Sequence, residues 1–147
     1  LGLSSLALAE TQEVTVTAVI PTVFTVTLDN PTVTFLTLEA TDYVDDSDVV
    51  TPGDNTTTLT VKSNKPYTVS QAAPDFSAGG LTLPAERLGY TLSGDGTGSG
   101  TLTNTATTIV ANGHRGVRNY VSTYTFTSSL ADEPGAYSTT VTYTALQ

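Results

Sequence analysis

Residues 13–20 read EVTVTAVI, and this stretch decides the fold class. Val14, Val16, Ala18 and Ile20 share one parity and Thr15 and Thr17 the other, the period-two pattern of a half-buried β-strand. The same alternation returns after Pro21 in VFTVTL (23–28) and, past the turn signal Asp29-Asn30-Pro31, in TVTFLTL (32–38). Further strands are predicted at 56–63, 65–71, 87–94, 101–110, 118–128 and 136–146, with a long loop at 39–55, an irregular stretch at 72–86, a loop at ANGHRG (111–116) and a flexible turn at DGTGSG (95–100). No helical i, i+3, i+4 stripe occurs between residues 10 and 147. About nine strands separated by turns predict an all-β, immunoglobulin-like antiparallel β-sandwich over 13–147.

Composition agrees. Of 147 residues, 31 are threonine and only 13% are charged, against a usual charged share of about 25%. Threonine favours strands and keeps an outward face wet without charge, a habit of secreted and cell-surface proteins. There is no cysteine, so neither a disulfide framework nor a thiolate metal site exists. A net charge of −9 argues against nucleic acid and anionic lipid as partners. No stretch approaches the ~20 apolar residues of a membrane span, so no membrane insertion of the mature chain is expected.

Residues 1–12 form an apolar extension. Ala7-Leu8-Ala9 fits the small-x-small pattern that signal peptidase cuts after, so one reading is the remnant of a secretion signal. The other is a working element that buries Leu1, Leu3, Leu6 and Leu8 against something. Both readings place the protein outside the cell. Leu1 and Leu3 differ in parity from Leu6 and Leu8, so a regular strand buries one pair only, unless a bulge at Ser4-Ser5 resets the register.

No catalytic constellation appears, and no enzyme activity is expected. The single histidine, His114, lies in NGHRG; Ser99, in GTGSGT, is not in a G-x-S-x-G elbow. The acidic run at 42–54 offers Asp45, Asp46 and Asp48 as ligands for Ca²⁺, although its spacing is not that of an EF-hand; a solvated loop is the alternative. Asn55 opens an N-x-T glycosylation acceptor. Lys62 is expected to point outward, which disfavours an internal Lys–Asn link. His114, Arg115 and Arg118 form a basic cluster in an acidic chain. This cluster and the 42–54 loop either complement each other between neighbouring copies or are two unrelated surface loops.

TPGDNTTTLTVKSNKPYTVS (51–70) resembles a segment of secreted bacterial surface sandwiches, in which a Pro-Gly turn leads into a strand, then Ser-Asn and an aromatic. EPGAYSTTVTYTAL (133–146) resembles the closing strand of spore-coat-U-type and related pilus subunits. The resemblance implies a sandwich that lacks a final strand and is completed by a neighbour's N-terminal segment. The strand predicted at 136–146 then closes the domain, and the donor candidates are Leu1, Leu3, Leu6 and Leu8 or Val14, Val16, Ala18 and Ile20. The expected partners are identical subunits in a head-to-tail homopolymer, a pilus or other extracellular filament. A monomeric adhesin or carbohydrate-binding module is the alternative. It is weakened by the absence of Trp, with Tyr43 and Tyr67 the tyrosines expected to be exposed.

Overall fold

The computed structural model describes residue 2 and residues 4–147. Leu1 and Leu3, two of the donor candidates, lie outside the described residues. The chain forms an all-β antiparallel sandwich. Among the described residues there are eleven strands: β1 (Phe24–Leu28), β2 (Val49–Pro52), β3 (Thr57–Ser63), β4 (Tyr67–Ala72), β5 (Phe76–Ala78), β6 (Leu81–Leu83), β7 (Leu88–Gly94), β8 (Gly98–Thr101), β9 (Thr107–Gly113), β10 (Gly116–Ser128) and β11 (Thr142–Leu146).

The large sheet runs β1-β3-β10-β7-β8, and β2 also pairs with β10. Strand β10 is its spine, 13 residues long or about 40 Å at the usual rise. Its first half pairs with β3 (Gly116↔Ser63 to Ser122↔Thr57) and its last four residues with β2 (Thr125↔Pro52 to Ser128↔Val49). The small sheet, β11-β4-β9, covers only part of this length, since its ladders end at Thr142↔Ala72 and Gln71↔Thr107. The short hairpin β5-β6 caps what lies beyond.

The sandwich therefore has two halves. In the first, both sheets face each other over Leu59, Val61, Tyr67, Val69, Leu92, Val110 and Tyr120, all buried. Alternation in β3 and β4 sends every second side chain inward, as the burial of Leu59, Val61, Ser63, Tyr67, Val69 and Gln71 records. Tyr67, expected at the surface, is instead only 3% exposed. Its hydroxyl pairs with that of Tyr120 at 2.7 Å, and its ring lies against Gly113, where a Cβ would come within 2.3 Å of ring carbons. The second half has its own core, Ala73, Phe76, Leu83, Leu88, Leu102 and Tyr124. Over it the small sheet has already ended.

Four sequence expectations change. TVTFLTL (32–38) makes one bridge, Phe35↔Gly53, rather than a strand. The stretch 136–141 is likewise held only at Ser138↔Ser77 before β11 begins. The Gly-rich turn at 95–100 contributes β8, because Gly100 packs beneath the Tyr90 ring and its backbone pairs with β7. The predicted strand 101–110 is broken: β8 ends at Thr101 and β9 starts at Thr107. Lys62 is exposed, as alternation predicts. No helix among the described residues is long and apolar enough to cross a membrane.

Candidate functional site

The two sheets meet along one side in a seam between β1 and β11, each the edge strand of its sheet. At one end the seam is laced. The Gln147 amide donates to Val23 O (3.2 Å) and to Ser63 Oγ (2.8 Å), joining the end of β11 to the start of β1. Toward the other end the seam opens into a groove of about 930 Å³.

One wall of the groove continues the lane of β1 after a kink at Asn30, whose φ is +44°. This wall, residues 31–38, is tied on its inner side: Asp54 N donates to Thr34 O (2.9 Å), and Thr34 N donates to Asp54 Oδ1 (2.8 Å). The other wall is 129–141, held by the reciprocal backbone bonds of Ser77 and Ser138 (3.0 and 3.1 Å) and by Thr139 Oγ1 on Pro74 O (2.6 Å). Arg87 clamps that wall through Asp132 (2.8 Å), with Asp48 at 3.9 Å on its other side. Both walls are thus fixed from behind. Their facing backbone edges make no sheet pairing among the described residues.

Aromatic and aliphatic side chains line the space between, among them Leu28, Val33, Phe76, Leu88 and Val141. Phe126 sits among them, with Phe76 edge-on at 5.2 Å and Phe35 tilted at 5.7 Å. The polar lining is satisfied. Tyr143 donates to Ser122 Oγ (3.0 Å) and is bonded to the Tyr124 hydroxyl, and Tyr43 pairs with Ser128 Oγ (2.8 Å). Burial, reinforced by Tyr143, holds the Tyr124 phenol well above the usual tyrosine range. Tyr67 is raised too, by burial first and then by its bond to Tyr120. A trough with an aliphatic and aromatic floor and two open backbone edges is suited to an extended peptide with apolar side chains at alternate positions.

Such a segment is present in the chain. Residues 4–22 form no strand and are exposed throughout. The EVTVTAVI stretch, patterned for a sheet, has no partner on its own domain: Val14 is 86% exposed, Val16 84% and Ile20 84%, and Ala18 is exposed as well. Leu6 and Leu8 are equally bare. The arm leaves the body beside the laced end of the seam. There the Asn64 side chain accepts from Val23 N (2.9 Å) and donates to Pro21 O (2.8 Å). The groove opens at the opposite end of β1, so arm and groove occupy opposite poles.

The other candidates lie apart. The Ser47 side chain first, and then the Ser47 backbone N–H that donates to Asp45 Oδ1 (2.8 Å), hold the Asp45 carboxyl below the usual range, while Asp48 faces Arg87 and Asp46 is exposed. No three His, Cys, Asp or Glu side chains converge as a metal-holding group among the described residues. Asn55 is exposed, its amide on Thr32 O (3.3 Å) and Asp54 Oδ1 (3.1 Å). His114 and Arg115 are exposed in the connection that carries the chain from β9 in the small sheet to β10 in the large one. Sequence reasoning missed the groove itself. Its signal was two alternating stretches, 32–38 and 136–141, that have strand patterning and one bridge each. Comparison with known proteins finds no matching family, no matching curated protein and no matching solved structure.

Proposed function

We propose that this chain is a structural subunit of an extracellular filament that polymerises head to tail, the N-terminal arm of one copy completing the groove of the next. One observation carries the reading: an exposed segment with strand alternation and an apolar groove with two unpaired edges lie at opposite poles of one body. The seven residues Val14–Ile20 extend about 23 Å, a span on the scale of a strand. A contact between unlike poles is head to tail, and it propagates as a filament when its rotation does not close a ring. The threonine-rich composition and the Ala7-Leu8-Ala9 pattern support an extracellular address.

Magnitudes show where the affinity must come from. Burying Val14, Val16 and Ile20 contributes together about 5–9 kcal/mol, against association costs of ~4–15 kcal/mol. Side chains alone leave little surplus. Backbone pairing to both open walls supplies the remainder and makes the junction directional. Val14–Ile20 is favoured over the leucine stretch because Val14, Val16, Ala18 and Ile20 share one parity, whereas Leu1 and Leu3 differ in parity from Leu6 and Leu8.

Electron microscopy of the full chain tests the reading. Filaments are expected, and deletion of residues 1–20 is expected to leave monomers that bind a synthetic peptide of residues 11–22. Full-length chains that remain single particles, with the deleted chain indifferent to that peptide, overturn it. A deleted chain that instead retains glycans on an array points to the binding-module alternative.

A further inference from the structure

The basic charges of this chain gather at one of the same two poles. Four of its five Lys and Arg residues, Lys62, Lys65, Arg115 and Arg118, sit where the arm leaves the body. Lys62 and Arg118 belong to neighbouring register pairs, Val117↔Lys62 and Arg118↔Val61, near the Ser63/Gly116 end of β3 and β10; Lys65 follows in the next turn, and Arg115 is in the connection from β9 to β10. The groove pole carries the opposite sign. Past the wall residue Leu38, the loop bearing Glu39, Asp42, Asp45, Asp46 and Asp48 begins, and its Tyr43 lines the groove. Three ion pairs occur among the described residues, and they consume Arg87, Arg118, Asp48, Asp95 and Asp132. Lys62, Lys65 and Arg115 at one pole, and Asp42, Asp45 and Asp46 at the other, keep their charges unpaired and exposed.

The tether brings these poles together. Val23 is pinned by Asn64 and Gln147 to its own body, so once Val14–Ile20 lies in a neighbour's groove only residues 21–23 span the gap. Three residues reach at most about 11 Å, close to the ~10 Å screening length at 0.1 M salt. Charges at the two facing poles therefore interact across the junction.

We infer that subunit bodies dock directly, the basic pole around Lys62, Lys65 and Arg115 of one copy resting on the acidic groove rim around Asp42, Asp45 and Asp46 of the next. This rests on the head-to-tail reading and adds a second contact to it, one that orients each incoming copy before its arm enters the groove. Electrostatic complementarity of this kind acts chiefly on the rate and orientation of encounter.

The effect of salt on assembly discriminates. Copies with net charge −9 repel as whole bodies, so without polar docking added salt speeds elongation. With it, raising salt from about 0.1 to 0.5 M slows elongation severalfold, because the attractive poles are screened. Two full-length variants sharpen the test: K65E/R115E, which makes the basic pole acidic, and D45K/D46K, which makes the rim basic. All four positions are exposed. Each variant alone is expected to elongate about tenfold or more slower than the natural chain. Their mixture restores the rate, because each kind of pole then meets its opposite, and the two variants alternate along the filament. Variants that elongate normally alone, or a mixture no faster than its components, overturn the docking. If the natural chain forms no filament while the two variants still pair one to one in a salt-sensitive way, the filament reading fails and the docking stands. Absence of salt-sensitive pairing in every combination overturns the docking.

Discussion

The two halves of this sandwich are built on one spine, β10, yet only one of them is finished. Around Leu59, Val61, Val69 and Tyr120 two sheets face each other and the core is sealed. Around Leu88, Tyr124 and Phe126 the large sheet continues while the small sheet has ended, and Val33, Phe35, Tyr137 and Val141 are left half-buried along a trough. The difference does not lie in hydrophobicity, since both halves are lined by Leu, Val and aromatic residues. It lies in backbone partners. Walls 31–38 and 129–141 each have backbone neighbours on one side, and no strand covers the trough between them.

Paired truncations break this comparison most strongly. Leu59→Ala removes a fully enclosed side chain and is expected to cost about 3 kcal/mol in chemical denaturation. A loss below about 1 kcal/mol would mean that the closed half is looser than its burial indicates. A second large effect is expected at Gly113, where an added Cβ meets the Tyr67 ring and that ring is tethered through its hydroxyl to Tyr120. Gly113→Ala is expected to cost about 1–3 kcal/mol by overpacking, with the Tyr67 contact displaced in the variant's crystal structure.

Alkali sharpens the contrast. Tyr67 in the closed half and Tyr124 in the open half both have raised phenol pKa values. Above pH ~10 an unfolded tyrosine gives up its proton while these two keep theirs. Their stabilising contribution is therefore complete below that pH and is lost as the pH rises toward the folded values. Melting temperature should fall steeply above pH ~10, and Y67F should lessen the slope, as followed by circular dichroism with phenolate absorbance. An unchanged slope would remove Tyr67 from this account. The smallest effect is expected at Phe35→Ala, about 1 kcal/mol or less in isolated chains because the site is already half open to water. In filaments, or with the 11–22 peptide bound, the same substitution should cost clearly more; equal costs in both states would mean that nothing covers Phe35.

Much of this was legible in the sequence, and the limits are physical. Alternation located β3, β4, β7 and the long β10, where a patterned strand also finds partners. It placed EVTVTAVI and TVTFLTL in the same class, yet neither forms a ladder within this chain. Periodicity reports which faces a segment offers and is silent on whether a neighbour exists. The converse error is β8, GSGT, which has no pattern but pairs because Gly100 fits under the Tyr90 ring. Strand β2, VVTP, and the hairpin β5-β6 are too short for any period to register. Tyr67 was expected to be exposed, and the space that buries it is left by a glycine 46 positions away in the chain. The poles were half visible: acidic and basic clusters stand out in the sequence, but their placement at opposite ends of β10 is a property of the fold.

The clasp that Asn64 makes on Pro21 and Val23 also decides how the molecule bears load. Tension on the arm enters the body at Val23 and runs along β1, whose five register pairs with β3, Phe24↔Ser63 to Leu28↔Leu59, lie across the direction of pull. Ladder hydrogen bonds stand perpendicular to their strands, so they are sheared together rather than unzipped one after another, and the Asn64 and Gln147 contacts must yield with them. The point where the arm is anchored is thus built as a mechanical lap joint.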